Sequence, residues 1–354
     1  MESLRSWFHR HLSDPQVVLL AVLLLGGLLL LVLLGNMLAP VIAALVVAYV
    51  HDAPAETLRR LGLPNRVAIT LVFVGFLSMI LFAVLALLPL LSQQLAQLVV
   101  LLPNMLANVQ ELLLTLPDRY PELIEREQVV EMTARLQQSL IAVGQNAVLF
   151  SVDRIGNLLT IVVYLFLVPF MVFFFLKDKM RMQSWITGFL PAERGLVDAV
   201  WTEVDHKTGA YIRGKSYEVG LIGSVTWVAF TALGLEFATL LAALTGLSVL
   251  VPYLGVAAVS LPVGFVALFQ FGLGGEFMAV IGAYVVIQIV DGNLLAPLLT
   301  SEVVDIHPIA VIAAILVFGG IWGFWGVFFA IPLATLAMAV LNAWPREEAA
   351  TATD

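Results

Sequence analysis

From Pro15 to Val50 the chain carries no charged residue. A bilayer's hydrocarbon core, about 30 Å thick, is crossed by about 20 helical residues. The run is therefore too long for one crossing and long enough for two, with a hairpin expected at Gly35-Asn36 and Pro40. In hydrocarbon every backbone polar group must be paired internally, so only helices and closed barrels cross. Barrel strands alternate apolar and polar residues. The runs here are continuously apolar, which excludes a barrel. Charged residues make up 12% of the 354 positions, and mean hydropathy is +1.01, against about 25% charged in soluble domains. The expected fold class is an all-α polytopic membrane protein with about eight transmembrane helices.

Charge orients the first half. Arg5, His9, Arg10 and His11 precede the first run, and Arg59, Arg60 and Arg66 follow it. Basic flanks lie inside, so both belong on the cytoplasmic face and the intervening run crosses twice. The start of the chain does not read as a cleavable signal, because its apolar run is too long. A third span is expected at Val67–Leu90. Leu91–Leu116 is apolar but dotted with Gln93, Gln94, Gln97, Asn104, Asn108 and Gln110, the pattern of an amphipathic helix. Residues 111–153 then hold seven acids against three arginines, as an outer segment permits. A fourth span at 154–176 stops at Lys177-Asp178-Lys179. Residues 177–215 carry seven Lys or Arg and are assigned to the cytoplasm. Within them, Ser184–Leu190 reads as a short surface-lying piece with Trp185, and Ala192–Lys207 as a polar helix. The expected organisation is thus 1–90, an N-terminal membrane region with three spans; 91–153, an amphipathic and acidic extracytoplasmic helical segment; 154–176, the fourth span; 177–215, basic and cytoplasmic; 216–345, a C-terminal transport region; and 346–354, a cytoplasmic tail.

The C-terminal third reads as two related units. Tyr217–Phe237 leads into Ala238–Pro262, and Phe277–Pro297 leads, after a polar stretch, into Pro308–Pro332. Gly255-Val-Ala-Ala-Val-Ser-Leu-Pro262 resembles Gly326-Val-Phe-Phe-Ala-Ile-Pro332. Gly/Pro-broken segments in corresponding places point to a transporter binding site. Residues 238–272 and 308–343 either cross once each or form broken, re-entrant hairpins. No Lys or Arg occurs between Lys215 and Arg346, so charge does not decide.

Between those units lies Asp291–Pro308, with Asp291, Glu302, Asp305, His307, an Asn-Gly break and two prolines. An acid at membrane depth costs several kcal/mol, about 2.5 to 3.5 on insertion scales, and marks ion or substrate pathways. If Phe277–Leu299 is one span, Asp291 lies about 5 Å from its middle. The alternative is a short helix with Asp291 opening a loop. Asp291 is the candidate protonatable or cation-binding group. Asn293, Ser301 and the backbone near Gly292 and Pro297 would complete an oxygen-rich site, which suits a hard cation. Glu302 and Asp305 share a helical face and read either as further ligands or as solvated charges. His307 reads as a proton switch or a helix cap, and Tyr253 and Trp322 as aromatic walls or packing.

Other chemistry finds little support. With no cysteine, thiolate metal sites, disulfides and Cys nucleophiles are excluded. The histidines show no HExxH spacing, no GxSxG is present, and no enzyme, metal site or cofactor is expected. Gly209–Ser216 matches GxxxxGK[ST], but without a preceding buried strand it reads as a basic helix end with Arg213 and Lys215 meeting lipid phosphates. Neither nucleotide nor nucleic acid is expected as a partner.

Several segments together resemble the AI-2E transporter family: Val172-Phe-Phe-Phe-Leu-Lys-Asp178, Tyr211-Ile-Arg-Gly214, Pro252-Tyr-Leu-Gly255, Asp291-Gly-Asn293 with Pro297, His307-Pro308 and Gly323-Phe-Trp-Gly326 through Pro332-Leu. The likeness covers nearly the whole chain. It implies a bacterial inner-membrane permease, about eight spans, both termini cytoplasmic and a homo-oligomer. Functions within the family diverge between export of a small signalling solute and antiport of a monovalent cation against protons. Many relatives carry Glu where this chain has Asp291. The expected function is export of a small solute or exchange of a monovalent cation for protons near Asp291. The alternative is a non-transport scaffold binding partners through 91–153 and 192–207.

Overall fold

A computed structural model describes residues 15–119, 130–131, 134–135, 158–300 and 307–343. All regular structure among these residues is helical. Among the described residues six helices are long and apolar enough to cross a membrane: Pro15–Gly35, Met37–Arg60, Asn65–Met105, Leu254–Phe271, Gly275–Leu299 and Ile309–Phe328. A seventh comes from Ile161–Lys177 with Lys179–Thr187, which meet at a 79° bend. Of the remaining expected span, Tyr217–Phe237, residues 217–232 form the apolar half of a longer helix, Gly195–Ala232, whose other half is polar.

In chain order the helices are α1 (Pro15–Arg60), α2 (Asn65–Phe82), α3 (Leu88–Arg119), α4 (Leu158–Lys177), α5 (Lys179–Thr187), α6 (Gly195–Ala232), α7 (Ala238–Ser248), α8 (Leu254–Phe271), α9 (Gly275–Val290), α10 (Ala296–Thr300), α11 (Pro308–Phe328) and α12 (Ala330–Ala343). Wide π-turns at Ala83–Leu87 and Asp291–Leu295 join α2 to α3 and α9 to α10.

The helices form two compact units. The first comprises Met1–Val72, Leu167–Ser216 and Leu298–Asp354, and the second Phe73–Phe166 and Tyr217–Pro297. In the first, α1 is helical throughout and lacks the loop expected at Gly35-Asn36. It is nonetheless not straight. The Gln16 side chain accepts from the Leu196 N–H, and the Tyr49 hydroxyl donates to Asp205. Those α6 partners lie about 14 Å apart along their helix, whereas Gln16 and Tyr49 would be about 50 Å apart on a straight axis. The run therefore bends back, as two crossings require. Leu20 and Leu24 pack with Val197, Val200 and Ala339, and Val46 and Tyr49 with Tyr211, Ile212 and Val311. Gly35 lies against the Trp322 indole, where a Cβ would overlap it.

The second unit has its core at Phe230, Phe237, Leu240, Leu241, Val263, Val266 and Val280. Leu91, Leu95, Leu98, Leu101 and Met105 pack into it. Their spacing of three and four is the apolar stripe of an amphipathic helix. The segment read as an outer extension thus begins as a continuation of the third span, and its stripe is spent on this core. The rest of the expected acidic outer segment lies outside the described residues, apart from 130–131 and 134–135.

The Gln94 side chain accepts from the Leu240 N–H at 2.8 Å, pairing a donor that the first turn of α7 leaves open. Gln270 accepts from the Glu236 N–H and donates to the Gly234 carbonyl, pinning the turn between α6 and α7. Gly223 and Gly246 let α6 and α7 approach until a Cβ on Gly246 would stand 2.8 Å from the Val219 carbonyl oxygen.

Both C-terminal repeats are broken hairpins. α7 and α8 are joined by Val249–Tyr253, and a Cβ on Gly255 would overlap the Ser248 carbonyl. α11 breaks at Gly323 (φ 59°) before leading to α12, and a Cβ on Gly326 would overlap the Phe318 carbonyl. The two glycines aligned in sequence serve the same backbone contact.

Candidate functional site

Asp291 opens the π-turn that interrupts the membrane-length helix Gly275–Leu299. The Ala296 N–H reaches back to the Asp291 carbonyl, the widened hydrogen-bonding step of a π-turn. Such turns recur at functional sites because the extra residue re-aims side chains and loosens the regular carbonyl ladder. Asn293 Nδ2 donates to the Ile289 carbonyl at 2.9 Å, supplementing the backbone pairing there.

The Asp291 residue is 6% exposed, whereas Gly292, Asn293 and Leu294 are exposed. Ile287 and Leu295, four residues to either side of it, pack with Val219, Ile222 and Val249. Asp291 therefore borders a cluster shared by α6, the α7–α8 connection and α9. On α6 the residue just before Val219, and one turn before Ile222, is Glu218, which is 1% exposed. Two buried carboxyl residues thus border one apolar cluster within the second unit. Glu218 belongs to a buried stripe along α6: Tyr211, Lys215, Glu218, Ile222, Thr226 and Phe230. The stripe is apolar at both ends and ionic between them. Further along α9, the Tyr284 hydroxyl donates to the Val256 carbonyl, and the Gln288 amide lies beside that hydroxyl.

The other expected site residues disperse. Asn293 and Gly292 face away from the buried carboxyl, and Tyr253 is exposed at φ 62°. Trp322 belongs to the first unit, where it stacks on Phe329 with ring centroids 6.1 Å apart. His307 is exposed and caps α11, its Nδ1 accepting from the Ile309 N–H, so the helix-cap reading describes its contact. Ser301, Glu302 and Asp305 lie outside the described residues. Arg213 is half-buried beside Tyr49, and Lys215 is only 8% exposed. A lipid phosphate at the surface is not within easy reach of a buried ammonium. Among the described residues no group of three or more His, Asp or Glu could hold a metal ion.

Glu218 is the residue that sequence reading passed over. It follows Lys215 by three positions at the start of an apolar stretch and so reads as an ordinary cytoplasmic-end charge. Its signal was positional. It repeats at three- and four-residue intervals with Tyr211, Lys215, Ile222, Thr226 and Phe230, all on one helical face.

A family model described as AI-2E family transporter matches residues 18–346. The Escherichia coli K12 protein PerM, whose name describes a permease, is 43% identical over 345 residues, covering 98% of each chain. Two Bacillus subtilis 168 proteins named as transport proteins are more distant. YrrI is 25% identical over 306 residues, 85% of this chain and 84% of its own. YueF is 23% identical over 315 residues, 87% of this chain and 84% of its own.

Proposed function

Because the chain belongs to the AI-2E transporter family, we propose that this multi-pass permease is a secondary transporter that exchanges a monovalent cation for protons at Asp291. The observation carrying the proposal is a buried acid at a π-turn within a membrane-length helix, with buried Glu218 bordering the same apolar cluster. A charged side chain at membrane depth is costly. A proton or a bound cation relieves the same cost, so the two ligands compete for one group. That competition is the thermodynamic basis of exchange. Localisation in the bacterial inner membrane, cytoplasmic termini and a homo-oligomeric state complete the reading.

The test uses purified protein in sealed liposomes carrying a pH gradient, with sodium, lithium and potassium salts added in turn. Wild type should collapse the gradient with at least one cation. Asp291→Asn should not, and Glu218→Gln should shift the cation dependence. No collapse with wild type overturns the exchange and favours export of a small polar solute or the scaffold role. Collapse by both wild type and Asp291→Asn keeps exchange but removes Asp291 from its centre.

A further inference from the structure

The bend between α4 and α5 holds a second site of different chemistry. α4 ends at Lys177, and α5 leaves at 79° to it. Between them is a cavity of about 310 Å³ lined by Phe174, Asp178, Arg181, Met182 and Trp185. That volume is at the small end of ligand pockets, which run from about 300 to 1,000 Å³. The surrounding surface is apolar and aromatic: Met180, Ile186, Phe189 and Trp185 are exposed, Trp185 by 68%. An exposed indole beside the end of a membrane-length helix is the usual mark of the headgroup level of a bilayer.

The charges at this bend are unequally engaged. The Lys179 ammonium bonds Asp52 at 2.8 Å, Lys177 lies over the rings of Phe173 and Phe174, and Arg194 pairs with Asp198. Asp178 and Arg181 differ. Asp178 stands at the N-cap of α5, but its side chain makes no capping bond. Both residues line the cavity, and among the described residues they form no ion pair with each other. An acid and a base that share a cavity without pairing are complementary to a ligand carrying both charges. The guanidinium fork suits a phosphate, the carboxylate an ammonium, and Phe174 with Trp185 the adjoining glycerol and upper chain.

We propose that this cavity binds the headgroup of a zwitterionic phospholipid bearing a primary ammonium, of the phosphatidylethanolamine class. Arg181 takes the phosphate and Asp178 the ammonium. Headgroup recognition thereby moves from Arg213 and Lys215, where the sequence suggested it, to the α4–α5 bend.

The experiment is native mass spectrometry of full-length protein released from nanodiscs containing equal parts of phosphatidylethanolamine, phosphatidylcholine and phosphatidylglycerol. Wild type should retain phosphatidylethanolamine over phosphatidylcholine by about tenfold, the worth of one charge-assisted hydrogen bond. Asp178→Asn should erase that preference and raise phosphatidylglycerol retention, because the acid no longer repels an anionic lipid. Arg181→Gln should lower retention of all three. A misfolded variant would not produce these two opposite patterns. Soluble glycerophosphoethanolamine should compete only weakly, since it lacks the chains that Phe174 and Trp185 contact. Equal retention of the three lipids by wild type, or an unchanged profile in Asp178→Asn, would overturn the proposal.

Discussion

The two C-terminal hairpins solve one geometric problem with different side chains. In each, a residue at positive φ turns the chain, and a glycine just after it presses its Cα against a carbonyl seven or eight residues upstream. In α7–α8 the positive-φ residue is Tyr253 (φ 62°) and the glycine is Gly255. In α11–α12 they are Gly323 (φ 59°) and Gly326. The surroundings diverge. The first hairpin is fastened by amides, Gln94 at the start of α7 and Gln270 at the preceding turn. The second is filled by rings: Trp322 and Trp325 each stack on Phe329, and Phe324 stacks on Phe328. Tyr211 adds an edge contact to Phe328. The backbone path is held in common, while the means of holding it is free to vary. One hairpin is therefore fastened by amide side chains, and the other by stacked rings.

The largest test of that likeness is to add one methyl at each close contact. Gly255→Ala and Gly326→Ala should both destabilise by at least about 3 kcal/mol, the upper range for overpacking, because the obstacle is backbone and cannot rotate away. Thermal unfolding in detergent reads the effect. If one variant melts like wild type, the two glycines do not hold equivalent contacts. Gly246→Ala should cost less, since its Cβ would stand 2.8 Å rather than in outright overlap with the facing carbonyl.

The positive-φ positions should respond unequally. Gly323→Ala places a Cβ in a left-handed conformation and should cost about 1 to 2 kcal/mol. Tyr253→Gly relieves the same strain in the folded state, offset by the greater freedom of glycine in the unfolded chain. Its exposed ring gives up little packing, so the net change should stay within about 1 kcal/mol of zero. A large loss at Tyr253→Gly would show that the ring, rather than the backbone turn, holds the first hairpin.

Much of this architecture was legible in the sequence because lipid leaves few options. Long uncharged runs have to be helices, and Gly255 and Gly326 stood out as matched breaks. What stayed hidden was continuity. α6 runs from Gly195 to Ala232 through a change from polar to apolar composition, so it read as a polar helix followed by a separate span. Composition changes along the chain, whereas helix continuity depends on backbone hydrogen bonds, which are indifferent to that change. The candidate site was half legible. Asp291 announced itself by its cost in lipid, but Glu218 comes from a helix far away in sequence. Asn293 and Tyr253 are near in sequence or in motif and lie on exposed faces instead. Spacing along one helix gives a face, but tertiary packing decides which face is buried.

A smaller pair of variants separates amide from aromatic fastening. Gln94→Ala leaves the Leu240 N–H without its acceptor and should cost about 1 kcal/mol. It should also speed amide hydrogen exchange at the start of α7 while leaving α11 and α12 unchanged. Phe329→Leu should show the converse pattern, because the stacked pairs with Trp322 and Trp325 are worth about 0.5 to 1.5 kcal/mol beyond area. Exchange that rises in both hairpins with either variant would mean that they unfold as one piece.

The smallest expected effect lies at the entry to the second hairpin. His307 accepts from the Ile309 N–H through Nδ1 at 3.3 Å, and Pro308 follows at the first helical position, where a missing N–H costs nothing. The long, exposed bond sets the cap at the weak end of its range, so His307→Ala should lose about 0.5 kcal/mol. His307→Asn should restore the loss, because a short amide is a preferred N-cap acceptor. Transport should survive in both if His307 only caps the helix. Loss of gradient collapse in His307→Asn with stability intact would instead return this imidazole to the proton path.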